Sequence, residues 1–502
     1  MARTQVGVRP VSLREVLPAA KFLREGDLRV ASCSPDWRDC RAGDLFVALT
    51  TADGDGHEQA RQAVARGAVA VLAERLVSVD APVVLVKDTR VAHSRLAQAL
   101  AGHPCRKLRT VGITGTAGKS VTALLLASIF EKAGESVGVL SSVGYSDSLT
   151  QTAPRQATPS TQQLADWLGR MSRAGCDSAV LELSSRALAE RRAAGIELDA
   201  AVLTNIGRDH LDLHNSAAGY KRAKRRLFSL LKSGGVAVIN ADDHRSRNLL
   251  PKLSAACLTF GLHAEADISA SVLERHKSEQ TFLLAAGDQT APVRTRMIGD
   301  HHVSNCLAAT AVGLACGLDL ATIVQGLEAI ERVPGRLERL ECGQPFGVFV
   351  DRAGTPETLA LSIKAVRRVT RGRVIVVAGC HGERGQSARP MMGRVLERGA
   401  SLPILTSNDP RHEEPGAIVH DMLDGFARPQ RAHVLPNRAE AIRLALGQAR
   451  AEDSVLITGK GDRAGQIVGR QRQPHDDREV ACAWLYARGE EELAGPRLRI
   501  FG

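Results

Sequence analysis

A glycine-rich segment that ends in lysine and serine is the clearest sign of chemistry in this sequence. It reads Val111-Gly-Ile-Thr-Gly-Thr-Ala-Gly-Lys-Ser120 and lies between an apolar run, 108–113, and a helical run, 121–132. A strand that enters a helix through such a loop presents backbone N–H groups and the positive end of the helix dipole to phosphate oxygens. Lys119 can then reach the β- and γ-phosphates, and the Ser120 hydroxyl can ligate Mg²⁺. In the strict phosphate-loop pattern G-x-x-x-x-G-K-[ST], a glycine stands where this sequence has Ile113. The flanking strand and helix still favour nucleotide binding over an ordinary turn.

Polar residues after two apolar strands could complete a metal site beside this loop. Glu182 ends the predicted strand 178–183, and Asp209-His210 follows the predicted strand 201–205. Mg²⁺ needs few protein ligands besides phosphate oxygens, so a carboxylate and an imidazole near a phosphate loop suit it. Spacing alone leaves open the alternative that Glu182 caps a helix and that His210 is a buried core histidine.

Apolar strands that alternate with helical stretches must position these groups. The sequence predicts strands at 45–49, 69–72, 83–86, 108–113, 178–183, 200–204, 235–240, 348–350, 374–378, 402–406 and 454–458. Continuous apolar runs of this length are typical of buried parallel strands in α/β proteins. Ligands bind beside the carboxyl ends of such strands, which is where the polar residues named above stand.

The length predicts an α/β protein of three domains. At roughly 150 residues per domain, 502 residues correspond to three units, each able to bury a core. The pattern breaks near 102–107 and again at Val333-Pro334-Gly335, where Pro334-Gly335 could form a hinge. We therefore predict a small N-terminal α/β domain (1–107), a central domain with a phosphate loop and a mostly parallel sheet (108–334), and a C-terminal Rossmann-like domain (335–502).

Composition excludes several classes of function. Aromatic residues make up only 3%, which argues against single-stranded nucleic-acid binding through base stacking. The net charge of +11 is spread along the chain and suits an enzyme that handles phosphorylated anions. The most membrane-like stretch, 307–324, carries Asp319 and many small residues, and predicts a buried helix. We expect a cytoplasmic protein without nucleic-acid or membrane partners; the oligomeric state is open, and a monomer is favoured.

The ten cysteines do not predict a disulfide framework or a zinc site. They are scattered along the chain and never approach C-x-x-C spacing. Reduced thiols in a cytosolic protein are the expected state.

Together with the phosphate loop, several motifs resemble the Mur ligase family, the ATP-dependent amide-bond ligases of peptidoglycan precursor synthesis. They stand in family order and span almost the whole chain: Arg41-Ala-Gly-Asp-Leu-Phe-Val-Ala48, Asp55-Gly-His57, Gly299 to Asn305, Val333-Pro-Gly-Arg336, Asn408-Asp-Pro-Arg411 and Gly459-Lys-Gly461. The resemblance is strongest to the ligases that add 2,6-diaminopimelate to UDP-N-acetylmuramoyl-L-alanyl-D-glutamate. It implies ATP and Mg²⁺ as cofactors, and a carboxyl group activated as an acyl phosphate before the amine attacks.

The resemblance also implies roles for individual residues in the nucleotide and metal sites. The implied ATP contacts are Gly115, Thr116, Ala117, Gly118, Lys119, Ser120, Val121, Asn305, Arg336 and Asp351. The implied metal ligands are Ser120, Glu182, His210 and a carbamylated Lys224. Lys119, His210 and Lys224 are the implied catalytic residues. Carbamylation would turn an ammonium that repels a cation into a carboxylate-like ligand.

Two further sets of residues are implied for the other substrates, the UDP-muramoyl dipeptide and a diamino acid. The first set is Thr158, Ser184, Glu190 and Arg192, with residues 1–107 as the UDP-binding domain. The second set is Arg384, Asn408, Asp409, Pro410, Arg411, Gly459 and Arg463. The planar fork of Arg411 suits a distal carboxylate, which diaminopimelate has and lysine lacks.

Several positions depart from the family pattern and leave alternatives open. The family has other residue types at Trp37, Ala117, Arg186, Glu190, His302, Arg352, Gly354, Asp462 and Arg463, and the order of Asn408-Asp409 is reversed. One alternative is a ligase that uses another diamino acid, such as lysine or ornithine. Another is a ligand-binding, regulatory paralogue with little or no catalysis. A folate-polyglutamate ligase shares the phosphate loop but fits the Asn-Asp-Pro-Arg motif and the long N-terminal region poorly.

Overall fold

A computed structural model describes residues 10–23, 26–51, 54–154, 156–207, 211–383 and 385–493, with side chains omitted at 211–212 and 489–493. Within these ranges the longer strands form three sheets that follow one another along the chain, each flanked by helices. The mixed α/β architecture predicted from the sequence is therefore confirmed.

The first sheet has five short strands in the first hundred residues. In spatial order they are Lys21–Leu23, Val83–Leu85, Ala70–Ala73, Leu45–Val47 and Cys33–Ser34. Only the edge strand Lys21–Leu23 is antiparallel to its neighbour. Helices Leu13–Val16, Ala60–Ala65 and Thr89–Leu100 accompany the sheet.

The central sheet carries the phosphate loop and is the largest. Its order is Gln151–Thr152, Tyr145–Ser146, Val137–Leu140, Ser178–Glu182, Arg109–Thr114, Leu198–Leu203, Leu231–Asn240, Ala256–Gly261, Ile268–Arg275, Gln280–Ala286 and Gln289–Thr295. The run from Val137–Leu140 to Ile268–Arg275 is parallel throughout. The strand of the phosphate loop lies in its interior, so the loop emerges between two neighbouring strand ends.

Helices cover both faces of this sheet. One face packs on Lys119–Lys132, Asp300–Ala315 and Leu320–Glu328, and the other on Thr161–Arg173, Ser185–Ala189 and Ala217–Arg225. Consecutive residues of a strand point to opposite faces of the sheet, so Val180 packs in the core on one face and Leu181 in the core on the other. Short helices Leu211–His214 and His244–Arg247 complete this region.

The third sheet holds six strands in the order Glu338–Arg339, Gly347–Asp351, Ser454–Thr458, Val374–Ala378, Leu402–Leu405 and His433–Val434. All neighbours are parallel except the first pair. Its helices are Pro356–Arg368, Arg389–Gly399, Pro415–Leu423, Arg438–Gln448 and Asp477–Leu493, and a small ribbon pairs Gln466–Val468 with Gln471–Gln473.

Two features differ from the sequence-based expectations. The three strands between 268 and 295, which are antiparallel to one another, were not predicted, because buried residues alternate with exposed ones and leave no continuous apolar run. The single helix expected at 307–324 is wrong: helix Asp300–Ala315 ends before Gly317, whose φ is +82°. The side chain of Asp319 then caps the next helix by accepting a hydrogen bond from the Thr322 N–H.

All ten cysteines are free thiols. Across the described ranges, no helix is both long and apolar enough to cross a lipid bilayer.

A buried ion pair joins the last helix to the third sheet. The Arg438 guanidinium donates to both carboxylate oxygens of Asp477 at 2.7 Å and to the Thr458 carbonyl at 2.7 Å. The side chains of this pair are 1% and 0% exposed. Burial alone would raise the pKa of Asp477, but Arg438 and His475 hold it well below its usual value. A carboxylate with a depressed pKa stabilises the fold at neutral pH.

We expect Asp477→Asn to lower the free energy of unfolding by about 3–5 kcal/mol, because it leaves the buried Arg438 charge without its counter-ion. In the parent protein, this contribution should begin to fall as the pH drops below about 4, where the unfolded carboxyl group protonates, and should be only partly lost at pH 3 because the pKa of the folded carboxyl group is depressed further. Denaturant unfolding at pH 7 and pH 3 measures both effects. Asp288→Asn, at an exposed turn, is the control; equal losses in the two variants would contradict the assignment.

Candidate active site

The phosphate loop is wrapped around the ammonium group of its own lysine. Lys119 Nζ donates to the carbonyls of Gly115 and Thr116 at 2.9 and 3.2 Å. Gly118 has a φ of +88°, a conformation that glycine adopts without strain, and helix Lys119–Lys132 begins directly after it. The loop thus has the strand–turn–helix form that phosphate binding requires.

Two residues at the end of the neighbouring strand hold the loop in shape. Asn205 Oδ1 accepts hydrogen bonds from the N–H groups of Thr116 and Ala117 at 3.1 and 2.9 Å. The Thr204 hydroxyl and Asn205 Nδ2 donate to the Ala117 carbonyl at 2.6 and 3.1 Å. A Cβ on Gly115 would lie 1.8 Å from Thr204 Oγ1, so this approach requires glycine.

The loop hydroxyl contacts a buried carboxylate. Ser120 Oγ donates to Glu182 Oε2 at 2.8 Å, and the Ser142 N–H donates to the same oxygen at 2.8 Å. The hydroxyl oxygens of Ser120 and Ser142 are 2.9 Å apart. Glu182 is only 3% exposed. Strand Ser178–Glu182 therefore delivers an anionic oxygen to the phosphate loop, as expected.

Lys224 is buried behind the loop. The residue is 0% exposed, and Nζ lies 4.6 Å from the centre of the Tyr220 ring. The Tyr220 hydroxyl is 3.0 Å from Thr116 Oγ1, so one side chain connects Lys224 to the loop. His210, the remaining expected ligand, lies outside the described residues together with Asp209.

These groups fit a magnesium ion. Mg²⁺ prefers oxygen ligands and keeps several waters or phosphate oxygens, so Ser120 and Glu182 form a suitable pair of protein donors. Among the described residues, no three His, Cys, Asp or Glu side chains are grouped as for a transition metal. A buried lysine at this site also fits modification to a carbamate, which would remove the ammonium charge.

The other residues expected at the nucleotide differ in their surroundings. Asn305 faces the loop, because its Oδ1 would lie 2.3 Å from a Cβ on Gly118. Val121 lies in the hydrophobic core. Asp351 accepts hydrogen bonds from the Leu337 N–H at 3.1 Å and from the Ser362 hydroxyl. The carboxylate of Asp351 is thus engaged by its own part of the chain.

Arg336, in the last third of the chain, contacts the serine that lies beside Glu182. Its Nη2 donates to Ser142 Oγ at 3.0 Å, and its Nη1 lies 3.3 Å from Asp462 Oδ1. Nearby, His302 is 2% exposed. Burial and the charges of His301 and Arg336 lower the pKa of His302 well below its usual value, so this imidazole is neutral at pH 7.

Thr158 and Ser184, expected at the dipeptide, lie directly beside Glu182. The Thr158 hydroxyl donates to the Glu182 carbonyl at 2.7 Å and accepts from the Ser184 N–H at 2.9 Å. Ser184 also caps helix Ser185–Ala189. This pair therefore borders the metal and phosphate site.

Glu190 lies between two arginines. It accepts from Arg186 Nε at 2.8 Å and from Arg192 Nε at 2.8 Å. Burial would raise the pKa of Glu190, but these two partners lower it below its usual value. Arg192 also donates to the Thr158 carbonyl at 3.1 Å. Glu190 and Arg186, which both depart from the family pattern, are thus partners in one ion pair.

The expected amino-acid site lies at the third sheet. Asp409 Oδ1 accepts from the buried Lys460 Nζ at 2.7 Å and from the Ile467 N–H at 3.0 Å. Burial opposes these contacts, yet they lower the pKa of Asp409. Asn408 is fully buried, and its Nδ2 donates to the Gly379 carbonyl at 3.3 Å. Asp409 and Asn408 thus have protein partners of their own.

Around this pair the backbone is tightly folded. A Cβ on Gly382 would lie 1.8 Å from the Pro410 carbonyl oxygen, and one on Gly459 would lie 2.5 Å from Asn408 Nδ2. Arg411 has a φ of +57°, and its guanidinium is 33% exposed, 3.7 Å from Glu383. Arg411 is therefore available to a ligand.

Arg384 lies outside the described residues, and Arg463 is exposed. Arg352, another departure from the family pattern, lies 3.6 Å from Asp462.

Sequence reasoning missed four side chains of the site: Thr204, Asn205, Ser142 and Tyr220. Thr204-Asn205 follows a predicted strand, so its position at a carboxyl end was an available signal. Ser142 carries no comparable signal, because a single serine in a loop fits many roles.

Comparisons with known proteins agree with this architecture. Residues 113–313 match the Mur ligase middle domain, and residues 335–461 match the Mur ligase, glutamate ligase domain. The UDP-N-acetylmuramoyl-L-alanyl-D-glutamate–2,6-diaminopimelate ligase of Geobacillus kaustophilus (strain HTA426) is 38% identical over 486 residues, which cover 95% of this chain and 99% of the relative. The enzyme of the same name from Listeria monocytogenes serovar 1/2a (strain ATCC BAA-679 / EGD-e) is 36% identical, covering 90% and 94%.

A solved structure is similar along its whole length. A structure of a UDP-N-acetylmuramoyl-L-alanyl-D-glutamate–2,6-diaminopimelate ligase superposes with a TM-score of 0.69 at 28% identity, covering 96% of this chain and 99% of that one.

We expect Gly115→Ala to disrupt nucleotide binding, because its Cβ would overlap Thr204 Oγ1. Relieving such an overlap costs about 1–3 kcal/mol, which corresponds to about a tenfold or greater loss of affinity. Calorimetric titration with ADP and Mg²⁺ measures the loss. Gly447→Ala is the control: it lies in helix Arg438–Gln448, and its Cβ would come no closer than 3.7 Å to Trp484. Unchanged ADP affinity in the Gly115 variant would contradict the prediction.

Proposed function

Because the chain belongs to the Mur ligase family, we propose that it joins meso-diaminopimelate to UDP-N-acetylmuramoyl-L-alanyl-D-glutamate at the expense of ATP. The observation that carries this proposal is the contact of Ser120, in the phosphate loop, with the buried Glu182 at 2.8 Å. Hydrolysis of ATP alone would need no second substrate site, whereas Thr158 and Ser184 border this contact. The names of full-length relatives support the choice of substrates.

The proposal assigns one substrate to each third of the chain. Residues 1–107 would bind the UDP group, 108–334 ATP, and 335–502 the amino acid. The three successive sheets support this division. ATP and a UDP-linked precursor as substrates also favour the cytoplasm as the place of the reaction.

In the first step, an oxygen of the D-glutamyl γ-carboxylate attacks the γ-phosphorus of ATP. The bond from that phosphorus to the bridging oxygen breaks, ADP leaves, and an acyl phosphate remains. Lys119 would exchange its contacts with the loop carbonyls for the β- and γ-phosphates. Ser120, Glu182, His210 and a carbamylated Lys224 would hold Mg²⁺, which neutralises charge on the transferring phosphoryl group.

In the second step, the amine nitrogen attacks the acyl carbon. The bond between that carbon and the phosphate oxygen breaks, phosphate leaves, and the amine loses a proton to give the amide. Arg411, together with Arg384, would bind a carboxylate of the incoming amino acid and orient its amine. Gly459 would allow the Asn408 side chain to approach the backbone beside this site.

A second candidate is the same reaction with another amine. It is favoured by Arg463. At this position the family pattern has a glutamate, which accepts hydrogen bonds from the distal ammonium of the incoming amino acid. Asp409 is held by Lys460, so it does not replace that acceptor. Arg411 supports diaminopimelate, since lysine and ornithine have no distal carboxylate for its guanidinium to bind.

We expect phosphate release to require ATP, Mg²⁺, the UDP-muramoyl dipeptide and an amino acid together. With meso-diaminopimelate, lysine and ornithine tested in parallel, diaminopimelate should give the highest kcat/KM. Coupled phosphate release and the mass of the product measure this. Faster turnover with lysine or ornithine would select the second candidate, and no turnover with any amine would select a non-catalytic paralogue.

We expect Lys224→Ala to lower turnover by about 10²-fold or more, because it removes a ligand for charge stabilisation in the site. The intact mass of the parent protein should exceed the sequence mass by one carbon dioxide, and acid should remove it. Lys221→Ala, in the same helix but half exposed, is the control. Full activity of the Lys224 variant would contradict the assignment.

A further inference from the structure

Two arginines from the last third of the chain converge on the phosphate-loop site. Arg352 Nη1 donates to Ser142 Oγ at 3.3 Å and to the Ser142 carbonyl at 3.4 Å. Arg336 Nη2 donates to the same hydroxyl at 3.0 Å. Ser142 in turn contacts both Ser120 and Glu182. Both guanidinium groups are therefore one residue away from the groups expected to hold phosphate and metal.

The two arginines share a single carboxylate. Asp462 Oδ1 lies 3.3 Å from Arg336 Nη1 and 3.6 Å from Arg352 Nη1. The side chains of Arg336, Arg352 and Asp462 are 16%, 21% and 15% exposed, so water screens their charges poorly. Burial, Arg336 and Arg463 lower the pKa of Arg352 to about 9. Asp462 and Glu182 oppose this shift, so three arginines lie against two carboxylates and the cluster can pair with an added anion.

The backbone segments that carry these groups pack closely against each other. A Cβ on Gly461 would lie 2.7 Å from the Cβ of Arg352, and one on Gly335 would lie 2.1 Å from the Asp462 nitrogen. The Arg352 N–H donates to the Gly335 carbonyl at 3.0 Å. The segments that carry both arginines and Asp462 are thus in direct contact, and they bring the two guanidinium groups to the same serine.

We propose that Arg352, beside Arg336, binds the phosphoryl group in transfer, with Asp462 as the counter-ion that aligns both guanidinium groups. This inference rests on the proposed ligase function and adds a residue that the family pattern does not supply. During transfer, the bond from the carboxylate oxygen to phosphorus forms while the bond to the ADP oxygen breaks. Negative charge then spreads over the three equatorial oxygens, where two guanidinium groups bind more strongly than one.

An interaction of this kind is stronger in the transition state than with bound ADP. We expect Arg352→Gln to lower kcat by about 10²–10³-fold. KM for the UDP-muramoyl dipeptide should stay within about threefold of the parent value, because the lost contact forms only in the transition state and not with the bound substrate. Arg352→Lys should recover part of kcat, since it restores the charge without the planar fork.

A binding measurement separates this role from a structural one. ADP with aluminium fluoride, Mg²⁺ and the UDP-muramoyl dipeptide mimics the phosphoryl group in transfer. In calorimetric titration, Arg352→Gln should lose about 10²-fold in affinity for this combination. Its affinity for ADP with Mg²⁺ alone should change by less than about threefold. Arg339→Gln, which removes an arginine paired with Glu341 at 2.9 Å in the same part of the chain, is the control.

The outcomes distinguish this inference from the proposed function. If the parent protein shows no turnover with any amine, the ligase function fails. If the parent protein turns over and Arg352→Gln binds the aluminium fluoride combination normally, only the role of Arg352 fails. Equal losses of affinity for ADP and for the combination would also overturn it, since they indicate a structural role. A higher kcat in the variant would identify Arg352 as an obstruction instead.

Discussion

The hydrogen bond between Ser120 and Glu182 connects the phosphate loop to a neighbouring buried strand, and the rest of the site is arranged around it. Ser142 completes a triangle with these two residues and receives the arginines from the last third of the chain. Because Glu182 is almost fully buried, its charge requires donors and a cation close by. This requirement explains why a hydroxyl and a backbone N–H donate to one carboxylate oxygen of Glu182. The two guanidinium groups lie next to them, on Ser142.

Four of the departures from the family pattern occur as two pairs of partners. Arg186 and Glu190 form one ion pair, and Arg352 and Asp462 belong to another cluster. A lone charge in a buried position is costly, whereas two opposite charges that appear together offset each other. Both clusters lie beside residues expected at the phosphate and dipeptide sites, and each places an added arginine next to a carboxylate.

Much of the fold was predictable because buried parallel strands are continuous apolar runs. Two strands lie at the residues predicted from their apolar runs, Val374–Ala378 and Ser454–Thr458. The antiparallel strands between 268 and 295 escaped prediction because polar residues such as Arg294 alternate with buried ones. The single helix expected at 307–324 is divided between two helices, because the residue types around Gly317 do not show where the chain reverses its direction.

The class of chemistry is legible from residue types alone: a loop of backbone donors with Lys119 and Ser120, and the carboxylate of Glu182 at a strand end. These signals are local, since a strand, a turn and a helix that follow each other in the chain create them. The groups that support them are set by contacts between distant segments. Asn205 on the loop, Ser142 beside Glu182, and Lys460 on Asp409 come from segments far apart in sequence. Their roles arise from packing and from the need to pair every buried polar group, which no single segment encodes.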